Sequence, residues 1–293
     1  MAANPLFEFT EEEKQLLRRN QAAAQASLSP YACHDSQAIR ERNEHYLDPD
    51  IYLARPPFVV DVEKIMHNPF YSRCADKTQV FSLVRNDDVT RRSFHLQVVS
   101  RVGRTIGMAL GLNLDLIEAI SIGHDLGHTP FGHEGERYLS KLYHERCGRY
   151  FNHNVHSVRL LRTMADTNLC LQTYNGIVAH CGEKAFEEYR PAPCESFADL
   201  DALLEGCYAD QNNIADLRPS TLEGCVVRIS DIIAYVGKDR QDAARAGILG
   251  EDAFDDGLGE EVAVDGDPRA PRVGGEHGAR RRQAPRPLPP RPL

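Results

Sequence analysis

The stretch "AISIGHDLGHTPFGHEGERYL" at residues 119–139 sets the hardest constraint on this chain. It crowds His124, Asp125, His128, His133, Glu134 and Glu136 into one short run. A solvated surface would interleave lysines and serines. A hydrophobic core would not hold this many ionisable groups, because each buried charge needs a partner. The fold must therefore bring other elements to these residues, to share a metal ion or to pass protons.

Elsewhere the chain reads as helical. From about residue 87, Phe94, Val98, Val102 and Ile106 recur every four residues, with Val99 and Leu110 filling the stripe and His95 beside it. "GLN" at 111–113 ends that helix on a glycine and offers Asn113 as the next N-cap. An apolar run through Leu116, Ile117 and Ile120 then leads to His124, and "GHTPFGH" breaks it. "NHNVHSVRLLRTM" continues the pattern through Val155, Val158, Leu161 and Met164. Residues 205–219 read as a polar loop. Ser220 and Glu223 fit a capping box opening "TLEGCVVRISDIIAYVGKDRQDAARAG", a helix apolar on several sides and so expected to be central. Proline-marked turns at 30–60 suggest an irregular N-terminal arm, giving an arm over 1–60 and a helical domain over 61–250. There is no β-rich segment and no internal repeat, so the expected fold is all-α.

Composition narrows the function. The formal net charge of -9 argues against broad electrostatic binding to nucleic acid. There is no apolar run long enough to span a membrane and no secretory leader pattern, so the expectation is a cytoplasmic protein without membrane association. Eight cysteines occur without a C-x-x-C pair, which fits reduced thiols rather than a disulfide frame.

A divalent metal needs imidazoles and carboxylates converging from separate elements. His124 and Asp125 are adjacent. His95 lies on the preceding helix, and Asp231 sits inside the apolar "VVRISDIIAYV", where a carboxylate is costly unless paired or metal-bound. Together His95, His124, Asp125 and Asp231 make an economical H…HD…D set. Taken singly, His95 also fits a satisfied histidine at a helix boundary, and Asp231 a salt bridge to Arg228. Tyr235 and Asp239 follow Asp231 at i+4 and i+8, on one helix face.

These features resemble the HD-domain metal-dependent phosphohydrolases, and more closely their deoxyguanosine triphosphate triphosphohydrolase branch. The resemblance is carried by "SPYAC", "KTQVF" at 77–81, "GHDLGHTPFGHEGE" at 123–136, "FNHN" at 151–154 and "ISDIIAY" at 229–235, in the family's order. In "RRSFHLQV", Arg92 and His95 keep their positions while the residues around them depart from the family's R-L-T-H-[ST]-L-E-V. The resemblance implies an HD helical bundle whose metal, manganese or magnesium, is held by His95, His124, Asp125 and Asp231. It implies a catalytic pair, His133 and Glu136, with His128 and His153 near the phosphates. Gln79 would touch the nucleoside, Arg92 a phosphate, and Tyr235 with Asp239 the sugar 3′-hydroxyl. The implied substrate is a deoxynucleoside triphosphate, with dGTP favoured, cleaved to deoxynucleoside and inorganic triphosphate by an oligomer of identical chains. Other HD phosphohydrolases, or a nucleotide-binding subunit without turnover, are the alternatives. His128 fits a structural hydrogen bond equally well, Glu134 a surface acid, and Arg85 a further cation. His156, His180 and Glu183 fit ordinary structural roles.

After about residue 250 the pattern fades into an arginine- and proline-rich tail over 251–293, expected to be disordered. The abrupt loss of aromatics and lysines also fits a chain truncated or shifted out of frame near residue 260.

Overall fold

The computed structural model describes residues 9–43, 51–83, 88–181 and 188–245. The expectations for the tail at 251–293, for Arg85 and for Glu183 fall outside these residues. The described residues form an all-α fold: α1 (Glu11–Ala26), α2 (Ile51–Ala54), α3 (Pro57–Met66), α4 (Pro69–Arg73), α5 (Arg92–Leu110), α6 (Leu114–Gly123), α7 (Gly132–Cys147), α8 (His153–Arg159), α9 (Leu171–Val178), α10 (Phe197–Ala209) and α11 (Leu222–Arg245). Among the described residues no strand forms, and no helix is long and apolar enough to cross a membrane.

The core is built where α5, α6 and α11 pack on one another, with α3 and α9 closing on α6. α6 buries its apolar residues Leu116, Ile117, Ala119, Ile120 and Ile122, with Leu114 partly covered. Its start follows the expected chemistry. Gly111 adopts the left-handed conformation (φ 68°) that ends α5, and the Asn113 side chain accepts from the amides of Asp115 and Leu116.

The buried face of α5 differs from the expected stripe. Phe94 and Leu110 are exposed, and Val98 and Ile106 only partly covered. The face that packs is Arg92, His95, Leu96, Val99, Ser100, Gly103 and Gly107. Gly103 and Gly107 lie directly against Ile117, so small residues let α5 and α6 approach closely. Counting apolar residues alone misses such a face, because its contribution is closeness rather than area.

Three further expectations change. Residues 205–209 finish α10, whose capping box joins Ser196 and Asp199, and 211–216 form a 3₁₀ turn instead of a loop. Met164 ends a π-helical turn (Leu160–Met164) and is exposed, unlike Val155, Val158 and Leu161. The Ser220/Glu223 capping box does not form. Thr221 Oγ1 accepts from the Gly224 amide instead, at 3.1 Å. Glu223 is fully buried and accepts from the amides of Cys33 (2.9 Å) and Asn113 (3.0 Å), tying the N-terminal arm to the start of α6.

Candidate metal centre and pocket

The segment after α6 is held against α8 by one hydroxyl. Ser157 Oγ donates to the His124 carbonyl (2.6 Å) and accepts from the Gly127 amide (2.8 Å). Lys77, from the "KTQVF" stretch, donates to the carbonyls of Leu126 (3.2 Å) and His128 (2.7 Å). Phe131 and Gly132 then take positive φ angles of 69° and 56°, a left-handed turn that launches α7 with His133 and Glu136 on its first coils. For Phe131 this conformation costs roughly 1–2 kcal/mol.

His95, His124, Asp125 and Asp231 converge. Asp231 Oδ1 lies 2.9 Å from His95 Nε2 and 3.7 Å from His124 Nε2, and Asp125 Oδ1 lies 3.6 Å from His124 Nε2. Arg228, the other partner considered for Asp231, instead donates to the Leu217 carbonyl. His124 is fully buried; its Nδ1 donates to the Ser121 carbonyl (2.7 Å), which turns the Nε2 lone pair inward, where no hydrogen bond meets it. A buried acceptor without a donor, facing two carboxylates and a second imidazole, fits a divalent cation. Burial works against charge on Asp231, yet the His95 hydrogen bond and His124 hold its carboxyl low, at about 2. Burial likewise opposes charge on Asp125, and Arg92, ion-paired with its Oδ2, holds that carboxyl well below the usual range.

A cavity of about 290 Å³ opens beside this cluster. His95, Asp125 and Asp231 line it together with Gln79, Arg92, His128, His133, His153, Tyr235 and Asp239. His124 and Glu136 sit behind the wall. Gln79 Oε1 is buried there without a hydrogen-bond partner. Arg92 is itself buried, spanning Asp125 and the Gln79 carbonyl (2.8 Å).

Glu136 organises the other side. It accepts from the His153 amide (2.7 Å), from His153 Nδ1 (3.0 Å), and lies 3.4 Å from His133 Nδ1. Burial opposes its charge, but His153 and His133 hold the carboxyl far below the carboxylate range. His133 is 80 % exposed at its side chain, so it reaches solvent while its partner does not. Burial pushes His128 well down, and it stacks on His153 with ring centroids 4.1 Å apart. Burial also opposes charge on His153, but Cys181 and Glu136 carry its pKa well up. Glu134 is exposed and pairs with Arg137, as a surface acid does.

Two pocket residues had no expected role there. His180, at the end of α9, stands 4.6 Å from the His124 ring, and Cys181 beside it also lines the cavity. Burial holds His180 down, at about 3. The signal for His180 lies in the sequence. "AISIGH" and "NGIVAH" each run from an apolar helix into a histidine just past its end, and each ring donates from Nδ1 to the carbonyl three residues earlier.

This arrangement, a helical core around an H…HD…D cluster, brings together side chains that could hold a divalent cation. The HD-domain family profile matches residues 92–236. Deoxyguanosinetriphosphate triphosphohydrolase-like proteins are 34 % identical over 77 % of the chain in Desulfatibacillum aliphaticivorans and 34 % over 84 % in Caldanaerobacter subterraneus subsp. tengcongensis. A third, from Clostridium perfringens strain 13, is 36 % identical over 80 %. The chain spans 56 %, 61 % and 59 % of these relatives' own lengths, respectively. The chain belongs to the HD-domain, deoxyguanosinetriphosphate triphosphohydrolase-like family.

Proposed function

We propose that the protein hydrolyses deoxynucleoside triphosphates, dGTP foremost, to deoxynucleoside and inorganic triphosphate. The observation that carries this reading is the His133–Glu136–His153 chain, set across one pocket from the His95/His124/Asp125/Asp231 cluster. In the reaction, a water oxygen bonds to the α-phosphorus, the bond from phosphorus to the 5′-oxygen breaks, and a proton ends on that 5′-oxygen. His133, exposed and backed by the Glu136 carboxylate, moves the proton. His128 and His153 face the phosphates. Arg92, bound to Asp125, acts on them through the position of that carboxylate and by its charge. Tyr235 and Asp239 on α11 hold the sugar, and Gln79, with its unpartnered Oε1, contacts the nucleoside.

His95, His124, Asp125 and Asp231 would hold manganese or magnesium, which supplies charge to neutralise the phosphates. Two imidazoles favour manganese, since magnesium prefers an all-oxygen shell. The same reading includes a cytoplasmic, self-associating protein, with the domain over 61–250 as the catalytic unit.

The direct test is product analysis on each dNTP with manganese or magnesium. Triphosphate is expected; release of pyrophosphate or single phosphates refutes this bond cleavage. Tyr235→Phe should weaken discrimination between dNTP and rNTP with metal content unchanged, and equal discrimination removes Tyr235 from the sugar site.

A further inference from the structure

A second donor cluster lies on the pocket wall, outside the H…HD…D set. Cys181 Sγ is 3.1 Å from His153 Nε2 and 3.4 Å from His180 Nε2, and the two nitrogens are 3.3 Å apart. Each ring is fixed from behind. His180 Nδ1 donates to the Ile177 carbonyl (2.7 Å), and His153 Nδ1 to the Glu136 carboxylate (3.0 Å). Fixed from behind at Nδ1, each imidazole turns its Nε2 toward the sulfur, so the three groups share one spot. Positive charge among them, a proton on His153 in the metal-free protein or a bound cation in its place, holds such a cluster together.

The triangle, with edges of 3.1, 3.3 and 3.4 Å, is slightly tighter than one face of a zinc tetrahedron. With Zn–N of about 2.0–2.1 Å and Zn–S of about 2.3 Å, neighbouring donors lie about 3.3–3.6 Å apart. The carboxylate–histidine arrangement of Glu136 and His153 is the kind that orients a metal-binding imidazole. Cys181 also differs from Cys33, Cys74, Cys170, Cys207 and Cys225, which are buried; it is partly open and lines the cavity.

We propose that His153, His180 and Cys181 form a second metal site, selective for zinc or another thiophilic divalent ion. A thiolate selects such ions over magnesium and manganese. Binding forms a metal–sulfur bond and two metal–nitrogen bonds, and releases the protons held on Cys181 Sγ and His153 Nε2 to solvent. Asp125 Oδ1, 3.6 Å from His153 Nε2 and 3.7 Å from His180 Nε2, is the nearest further donor and lies between the two clusters. An ion here holds His153 Nε2, so it withdraws that ring from substrate and inhibits turnover. This inhibition rests on the proposed hydrolysis; the site itself does not.

The test uses the full-length, metal-stripped protein. Cobalt added to the wild type should give a thiolate-to-cobalt charge-transfer band in the near ultraviolet, without any substrate. Cys181→Ser and Cys181→Ala should lose that band and weaken zinc binding more than about 100-fold, beyond what loss of an outer-shell partner does. Asp231→Asn, in the other cluster, should keep it. Zinc should inhibit the wild type and spare Cys181→Ser relative to its own zinc-free rate. A wild type without the band, or a Cys181→Ser protein with unchanged zinc affinity, overturns the site. A protein with the band but no triphosphate release overturns the proposed reaction and leaves the site standing.

Discussion

Gly127→Ala is the most informative single substitution, because it adds one methyl group where the site is assembled. An alanine Cβ at this position would lie 2.3 Å from the Ser157 amide nitrogen, 2.4 Å from the His153 carbonyl oxygen and 2.7 Å from the His156 carbonyl carbon. All three are backbone atoms of α8, so no side chain can rotate away. Relief requires the 124–128 turn and α8 to separate by roughly 1 Å, since ordinary contacts begin near 3.5 Å. That separation stretches the Ser157 bonds to Gly127 and His124 and moves His153 from Asp125. Overpacking of this kind costs about 1–3 kcal/mol, and more where backbone must shift. At roughly 2–4 °C per kcal/mol for a domain of this size, Tm should fall by about 6–12 °C for a cost near 3 kcal/mol. A displacement near 1 Å among reacting groups costs about 100-fold in rate, so hydrolysis should collapse even in the folded fraction. Gly206→Ala, inside α10, is the control. Its Cβ meets only Asn213 Nδ2, at an ordinary 3.6 Å. The gain in helix propensity, about 1 kcal/mol, is then opposed by no clash. Calorimetry and a rate assay on both variants decide the matter. If Gly127→Ala melts with the wild type and keeps its rate, the close approach of turn and α8 is not what assembles the site.

Three other outcomes are expected. Glu223→Ala leaves the buried amides of Cys33 and Asn113 without their acceptor, at about 1–3 kcal/mol for each group, while Glu223→Gln keeps an amide oxygen for them and loses less; equal melting temperatures for the two variants would show that the clamp carries no stability. His124→Ala and Asp231→Asn should each lower manganese content measured by elemental analysis, and a full complement in either removes that residue from the ligand set. Burial, with Arg159 adding to it, lowers His156 to about 4, so the folded state favours its neutral form; its stability contribution is present above the unfolded value of about 6.5 and is lost as pH falls from there to about 4, and His156→Gln should flatten the Tm profile over that window.

What could be read in advance divides by range. Gly111 and Asn113 punctuate α5 and α6 as local chemistry requires, and the apolar residues from Leu116 to Gly123 are buried as their composition demands. The H…HD…D residues converge because Asp231 in an apolar helix had few other outcomes. The α5 face was misjudged because Gly103 and Gly107 carry no hydrophobic signal, although they set the distance to α6. The Ser220/Glu223 pattern failed for the opposite reason. A local cap was available, but two amides brought in from Cys33 and Asn113 needed the carboxylate more, since they are buried and Glu223 is the acceptor that reaches both.

The same contrast separates the two donor clusters of the pocket. His124 announces itself because Asp125 and four more ionisable groups stand beside it in sequence. His180 stands at the end of an equally apolar helix and makes the same Nδ1 bond to its own backbone, but its sequence neighbour is Cys181, an ordinary core residue on composition alone. Its partners Asp125 and His153 come from other elements, at 3.7 Å and 3.3 Å. The informative local pattern is therefore an apolar helix followed within two residues by a histidine. Nδ1 is occupied by the helix's own carbonyl, so Nε2 must find a donor or a cation outside the helix. In this fold α6 and α9 are both followed that way and end beside each other, which is why one pocket gathers two clusters of side chains that could hold a metal ion.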